Sequence, residues 1–583
     1  MLLYMYGGTM SLSSRVNEKA SLIWAIADKL TGVYKPHEYG EVILPLTVLR
    51  RFDCILADTK PAVLDTYNKL KDQNLDLLDS LLYEVAGHKF YNISKYTFKT
   101  LLDDPDNIES NFRDYINGFS NNVQDIIRKF KFDNHITTMA DKHILYMVIK
   151  EFTTDKANLH PDHISNLEMG YVFEEIIRRF SEAHNEDAGQ HYTPREVIRL
   201  MVNILFHDDN AVLSGQSVAR TIYDCACGTG GMLSVAEEYL ANLNSTSKLI
   251  SFGQELNDQT FAICKADMLI KGNDAERIKS GNTLSDDQFS GETFDYIISN
   301  PPFGREWKNE EAIVKNEAKL GFDGRFGPGL PSTSDGQMLF LENAIKKMNP
   351  QGSRIAIIHN GSPLFTGDAG SGPSEIRRYI LENDLLEAII ALPNDIFYNT
   401  GIATYIWVLS NKKAGTHREG KVQLINANDL YEKRRKSLGN KRNDIPESAI
   451  QEITKIYGEF RETEISKIFD NEDFGYTKIT VERPVLDEDG KPVLVKGKLK
   501  ADTKRRDTEI VPIKEDIETY FEREVLPFAP DAWIDTKKNK IGYELPFARH
   551  FYKYVAPRST DEIMAEIKAL ESELDGALVE VFK

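Results

Sequence analysis

The stretch Thr221-Ile222-Tyr223-Asp224-Cys225-Ala226-Cys227-Gly228-Thr229-Gly230-Gly231 constrains this chain more than any other. A β-branched and aromatic run ends on an acid, passes through small residues and glycines, and opens into a helical pattern from Met232 to Leu243. Such a strand–turn–helix unit uses glycine where the backbone must come close to a ligand. The helix that follows presents N–H groups with no partner of their own. Asp224 at the strand tip, and the lack of a Gly-Lys-Ser/Thr ending, argue against a phosphate cradle. A carboxylate there suits a cationic or hydroxylated ligand.

The pattern downstream extends this unit into a sheet. Strands are expected at Ile250–Gly253, Phe294–Ser299, Arg354–His359, Leu386–Leu392 and Ala403–Ser410, with helices at 258–269, 335–348 and 374–382 between them. Strands alternating with helices describe a doubly wound α/β fold, whose ligands sit outside the strand C-termini at the switch in strand order. Asp224, Glu255, Asn282 and Asn300 all fall at such ends and are expected to converge. Glu255 follows Asp224 by about 30 residues, near the spacing at which an acid accepts a ribose diol; alone it could be a surface acid. Asn300-Pro301-Pro302-Phe303 could alone be a plain turn, but it follows the glycine loop and Glu255. Before the sheet, Gln190-His191-Tyr192-Thr193-Pro194-Arg195 reads as a helix start, with Thr193 capping and Pro194 in the first turn. A bare helix start and an anion held on its free N–H groups fit these residues equally.

At 583 residues the chain exceeds one hydrophobic core. We expect an all-helical N-terminal domain over 1–165, an α/β domain over 166–475 and an extension over 476–583. The N-terminal helices are anticipated near 20–30, 43–56, 75–86, 108–119, 123–130 and 142–152, with prolines at the breaks and no catalytic spacing. No apolar run reaches the ~18 residues of a membrane span. Residues 1–10 lack a basic flank and a cleavage site, so no leader is expected, and Met10 is an equally good start. Four cysteines give no disulfide framework, which suits a reducing cytoplasm. Cys225-x-Cys227 has no second ligand pair, so no metal is expected. The net charge of −19 opposes extensive phosphate binding. Either the chain does not touch nucleic acid, or it touches it locally while a partner supplies most of the contact.

Taken in order, Gln190-His191-Tyr192-Thr193-Pro194, Asp224 to Gly231, Gly253-Gln254-Glu255 and Asn300-Pro301-Pro302-Phe303 resemble the amino-group DNA methyltransferases that use S-adenosylmethionine. The chain is most similar to the modification subunit of type I restriction–modification systems. Trp24 to Asp28 with Tyr39 to Arg51, Gly352 to Gly361, Ile389 to Phe397 and Ile541 to Tyr552 extend the resemblance over nearly the whole length. It implies a Rossmann-like class I methyltransferase core with a helical N-terminal domain and a C-terminal helical tail. It also implies methyl transfer to adenine N6 in double-stranded DNA. By similarity, Gln190, His191, Tyr192, Thr193, Pro194 and Arg195, with Thr229, Gly230 and Gly231, line the methionine end of the cofactor. Asp224 and Gly228 support that end, Glu255 holds the ribose, and Asn282 stands where many relatives place an acid near the adenine. Asn300 and the Pro301 carbonyl accept from the target amino group, Pro302 stiffens the turn, and Phe303 stacks on an extruded base. The implied partners are DNA, a specificity subunit, a second modification subunit and a restriction/translocase subunit, with no membrane.

The flanks fit this reading loosely. Residues 305–337 read as a long glycine-rich loop able to close over a base or to order on DNA. Lys433-Arg434-Arg435-Lys436 with Lys441-Arg442, and residues 496–506, are the two basic clusters, either solvated faces or local phosphate contacts. Ile563, Ile567, Leu570, Leu574, Leu578 and Val581 form one helical stripe over 560–583, for a partner helix or the chain's own core. The Asn-Pro-Pro-aromatic turn equally serves cytosine N4 or a protein glutamine amide. A non-catalytic cofactor-binding scaffold is the reading from another class.

Overall fold

The computed structural model describes residues 26–73, 77–182, 193–215, 218–398, 400–552, 554 and 558–581. Gln190, His191, Tyr192 and Trp24, to which the sequence assigns a place, lie outside the described residues. So does most of the first anticipated helix, of which Ala27–Leu30 is described. Helices Tyr39–Leu56, Leu78–Ala86, Ile108–Asn117, Asn121–Lys129 and Leu145–Phe152 appear where apolar periodicity places them. Lys60–Leu70 and Asp133–Asp141 complete the helical region.

A nine-stranded sheet carries the centre of the molecule. Its first eight strands are β1 (Ala219–Asp224), β2 (Lys248–Glu255), β3 (Ile278–Ser280), β4 (Tyr296–Ser299), β5 (Arg354–Asn360), β6 (Leu386–Ala391), β7 (Thr404–Ser410) and β8 (Lys421–Asn426). A hairpin, β9 (Glu432–Leu438) and β10 (Lys441–Asp444), precedes the ninth strand of the sheet, β11 (Ser466–Asp470). The order is β11-β8-β6-β7-β5-β4-β1-β2-β3, with β7 antiparallel to both β5 and β6. β1 pairs in parallel with β2 on one side and β4 on the other, so the chain reverses its direction of travel across the sheet there. β4 and β6 are buried at every position, as strands covered on both faces must be. The ends of β1, β2, β4 and β6 reach one edge of the sheet, where such folds hold ligands.

Two buried cations attach the N-terminal helices to this sheet. Arg51, fully buried, donates to the Ile164 carbonyl at 2.9 Å and to Asn166 Oδ1 at 2.6 Å. It thereby orients helix Asn166–Glu182. Lys129 reaches Asp258 and Ser280 Oγ, each at 3.1 Å, beyond the ends of β2 and β3.

Three sequence expectations are corrected. Residues 305–337 are not a bare loop, because helix Glu311–Ala318 forms within them and Arg325 ties them down. Its guanidinium pairs with Glu317 at 2.6 Å and donates to the carbonyls of Thr283 at 2.5 Å and Leu284 at 3.1 Å. The extension after 475 is not helical at its start. It forms a second sheet of β12 (Gly475–Glu482), β15 (Asp507–Pro512), β16 (Trp533–Ile534) and β17 (Lys540–Tyr543), with β13 (Leu494–Val495) and β14 (Lys498–Leu499) as a small hairpin. Finally, the first compact unit runs through Leu545. The second unit, 546–583, contains helix Thr560–Val581, on which Ile563, Ile567 and Leu570 are exposed.

Candidate active site

Two adjoining cavities open at the edge reached by β1, β2 and β4. The first, of about 400 Å³, is lined by Thr193, Asp224, Gly228, Thr229, Gly231 and Asn300 with Glu174 and Met232. The second, more open and of about 1250 Å³, is lined by Glu255, Asn282, Pro302 and Arg305 among others. Ala226 borders both, so together they make one cleft across the glycine turn. Each is large enough for part of a nucleoside-sized ligand.

The turn owes its shape to its glycines. Gly228 and Gly230 have φ of +54° and +82°, where an L-residue is strained. A Cβ on Gly230 would also lie 2.7 Å from Cys264 Sγ, and one on Gly253 would lie 2.9 Å from Cys227 Sγ. Gly231 then opens helix Gly231–Leu243, whose first N–H groups have no acceptor within the helix.

Asp224 is buried at the tip of β1. It accepts from Ser299 Oγ at 2.7 Å and from the Ala226 N–H at 3.0 Å. Burial pushes its carboxyl up to about 7, the two hydrogen bonds only partly opposing that, and nearby Glu255 raises it further. Glu255 at the end of β2 takes one N–H on each oxygen, from Gly228 at 2.8 Å and from Asn257 at 2.7 Å. A carboxylate oxygen holds more than one hydrogen bond, so both keep acceptor capacity towards the second cavity.

Asn300 leaves β4 next to Ser299. Its amide nitrogen donates to Thr193 Oγ1 at 2.9 Å, while its Oδ1 is buried with no hydrogen-bond partner among the described residues. A buried acceptor left open costs about 1–3 kcal/mol, which is a reason to expect a ligand donor there. Thr193 therefore does not cap the following helix. Helix Arg195–Phe206 begins after Pro194 without a side-chain cap, and the Pro194 carbonyl takes the first N–H groups. Phe303 is half-buried and meets Phe397 edge to face, with ring centroids 6.2 Å apart.

The remaining expected residues are placed differently. Arg195 does not line the first cavity. It pairs with buried Glu174, donates to the Gly231 carbonyl at 3.2 Å and lies over the Tyr171 ring. Asn282 lines the second cavity, but its amide donates to Glu310 at 2.6 Å and accepts from the Leu284 N–H at 3.0 Å. The acid that the sequence lacks at 282 is thus brought alongside by Glu310. Sequence reading missed both Glu174 and Glu310. Glu174 sits in an amphipathic helix among other acids, and only its separation from the solvent-facing acids of that helix could have marked it.

The sheet order, the reversed β7 and this cleft belong to the class I S-adenosylmethionine-dependent methyltransferases. The fold is shared with the crystal structure of the type I restriction–modification system methyltransferase subunit from Streptococcus thermophilus. The TM-score is 0.60 and the identity 21%, over 78% of this chain and 96% of that one. Residues 165–483 match the N-6 DNA Methylase family, and the chain belongs to it. Residues 19–152 match the HsdM N-terminal domain. Among curated relatives, the type I restriction enzyme MjaIX methylase subunit of Methanocaldococcus jannaschii is 25% identical over 78% of this chain and 79% of its own length. The HindI methylase subunit of Haemophilus influenzae is 29% identical over 48% of this chain and 58% of its own.

Proposed function

We propose that this chain is the catalytic modification subunit of a type I restriction–modification assembly, moving the methyl group of S-adenosylmethionine to adenine N6 in double-stranded DNA. The observation that carries the reading is the open, buried Oδ1 of Asn300 beside the glycine turn.

The cleft fits the cofactor on its own chemistry. Thr229, Gly230, Gly231 and the first turn of helix Gly231–Leu243 offer N–H groups to a carboxylate, and Asp224 offers a negative charge to a cation. Glu255 has acceptor capacity for a diol, and Asn282 with Glu310 borders the space left for a base. When bound, S-adenosylmethionine supplies a methyl group on a sulfonium, ready for displacement by a nitrogen nucleophile. Asn300 Oδ1 and the Pro301 carbonyl accept the two N–H bonds of the target amino group. Those bonds draw its nitrogen away from conjugation with the ring and free its lone pair. Thr193, by holding the Asn300 amide nitrogen, keeps the oxygen turned to the target. Pro302 limits the turn's freedom. Phe303, backed by Phe397, offers a face to a base rotated out of the duplex.

Specificity and assembly belong to partners in this reading. The exposed stripe of Ile563, Ile567 and Leu570 suits the helix of a specificity subunit, and a second copy of this chain and a restriction subunit would complete the assembly. The test is transfer of tritiated methyl groups to duplex DNA, followed by digestion to nucleosides, with the chain alone and with the assembly that co-purifies with it. Label in N6-methyldeoxyadenosine, from the assembly far more than from the chain alone, is the expected result. Label confined to cytosine or to protein glutamine would overturn the acceptor.

Asp224 gives a pH signature. Its folded value of about 7 exceeds the ordinary 3.8, so the folded protein retains a proton that the unfolded chain releases. Its contribution to stability therefore falls as pH rises between those values. A cationic ligand prefers the ionised form. Cofactor affinity measured by calorimetry is expected to rise by up to about tenfold per pH unit below pH 7 and to level off above it. The Asp224→Asn variant should lose that slope. An equal slope in wild type and variant would remove Asp224 from the cofactor's cation.

A further inference from the structure

The sequence offers two basic clusters, and the structure separates them. In residues 496–506 the arginines are spent. Arg505 pairs with Asp531 at 3.1 Å and Arg506 with Glu482 at 2.8 Å, at the border of the β12 sheet. The β9–β10 hairpin is built the other way.

One of its cations is an anchor. Lys441 is buried, and its ammonium meets Glu196, Asp444 and the carbonyls of Ile396 and Asn443. Arg434 closes onto Asp444 at 2.6 Å. Backbone bonds from Asn440 to the Tyr398 carbonyl (2.8 Å) and from Arg442 to the Asp395 carbonyl (2.8 Å) bind the hairpin to the loop after β6. That loop carries Phe397, the ring against Phe303. Glu196 lies in the helix that begins just after Thr193 and Pro194, and Thr193 holds Asn300. The hairpin is thus joined to the site from two sides, through Phe303 and through Thr193.

Its other cations face outward. Lys433, Arg435, Lys436 and Arg442 are exposed and form no ion pair among the described residues. The pairing register concentrates them. Lys441 stands opposite Leu438 but Asn443 opposite Lys433, so Arg434, Arg435, Lys436 and Ser437 bulge against the single Arg442. A bulge of this kind turns side chains out of the ladder and ends edge pairing. On a chain with a net charge of −19, a group of unpaired cations at the rim of the cleft is a local site of attraction for a polyanion.

We infer that the β9–β10 hairpin is the surface on which this chain grips the phosphate backbone of duplex DNA beside the base being methylated, through Lys433, Arg435, Lys436 and Arg442. The inference rests on the DNA-methylating function proposed above. The anchor fixes the hairpin's position against the loop behind Phe303, and the bulge presents guanidinium and ammonium groups to phosphates on either side of the extruded nucleotide.

The test compares wild type with the Lys433→Gln/Arg435→Gln/Lys436→Gln/Arg442→Gln variant, each as the full chain in its co-purified assembly. It measures affinity for a mixed-sequence duplex oligonucleotide over a range of salt concentrations. Each lost phosphate contact reduces the slope of log affinity on log salt by about 0.9, so a slope shallower by up to about 3.6 is expected. Cofactor affinity should stay unchanged. A second variant that exchanges lysine for arginine and arginine for lysine at the same four positions keeps the charge and should keep the slope, which separates charge from folding. An unaltered salt slope in the glutamine variant, with methylation intact, would overturn the hairpin's role and leave the DNA reading standing. Loss of binding to anionic lipid vesicles with duplex affinity unchanged would give the surface to a membrane and likewise overturn it. A wild-type assembly that methylates no DNA would remove the underlying function instead.

Discussion

Replacing Asn300 with alanine is expected to lower kcat for methyl transfer by at least ~10²–10³-fold, with cofactor affinity nearly unchanged. The side chain sits between two roles. Its amide nitrogen is engaged by Thr193 and its oxygen is left open, so truncation removes the only side-chain acceptor the structure places beside the glycine turn for a target amine. Asn300→Asp should fall between wild type and Asn300→Ala. It keeps the acceptor oxygen and loses the N–H to Thr193, whose hydroxyl can turn to donate instead. The measurement is single-turnover methyl transfer at saturating cofactor, with calorimetric cofactor binding in parallel. An alanine variant that still turns over at a third of the wild-type rate or better would show that the amine is held elsewhere.

Glu255→Ala is expected to act on the other partner of the reaction. Hydrogen bonds to a charged acceptor contribute about 1.5–3 kcal/mol, so cofactor dissociation constants should rise roughly 10- to 150-fold. The loss has two components. The ribose loses its acceptor, and the N–H of Gly228, now without a carboxylate at 2.8 Å, no longer pins the turn. Glu255→Gln should also weaken binding, because an amide keeps one acceptor but presents N–H donors to a neighbouring backbone N–H. At saturating cofactor kcat should change far less than in the Asn300 variants. A Glu255→Ala dissociation constant within about a factor of two of wild type would take the ribose away from this residue.

The central sheet was legible because its strands are buried on both faces and read as unbroken apolar runs, and because the residues that matter sit where those runs stop. Asp224, Glu255 and Asn300 could be found from that rule alone. Glu174 could not. It is an acid in an amphipathic helix, and nothing local distinguishes a carboxylate turned inward to Arg195 from one in water. Thr193 before Pro194 has the residue types of a helix cap, but the partner that claims its hydroxyl comes from β4, far along the chain. The β9–β10 hairpin escaped notice because Glu432 to Leu438 has no apolar alternation, its pairing being set by the buried Lys441. Strands β12 and β15 are similarly polar along much of their length, and their register is visible only in the folded molecule. Long-range contacts with little apolar pattern are what the sequence conceals.

The contact between Gly230 and Cys264 has a consequence for how such sequences can diverge. A side chain at 230 and the sulfur at 264 claim the same volume. The two positions are therefore one variable rather than two, and growth at one is admissible only with shrinkage at the other. Gly253 and Cys227 form a second such pair across the same turn. Two of the turn's own residues are thus locked to β2 and the helix behind it, so drift in the scaffold must pass through paired steps while the outer loops change one residue at a time.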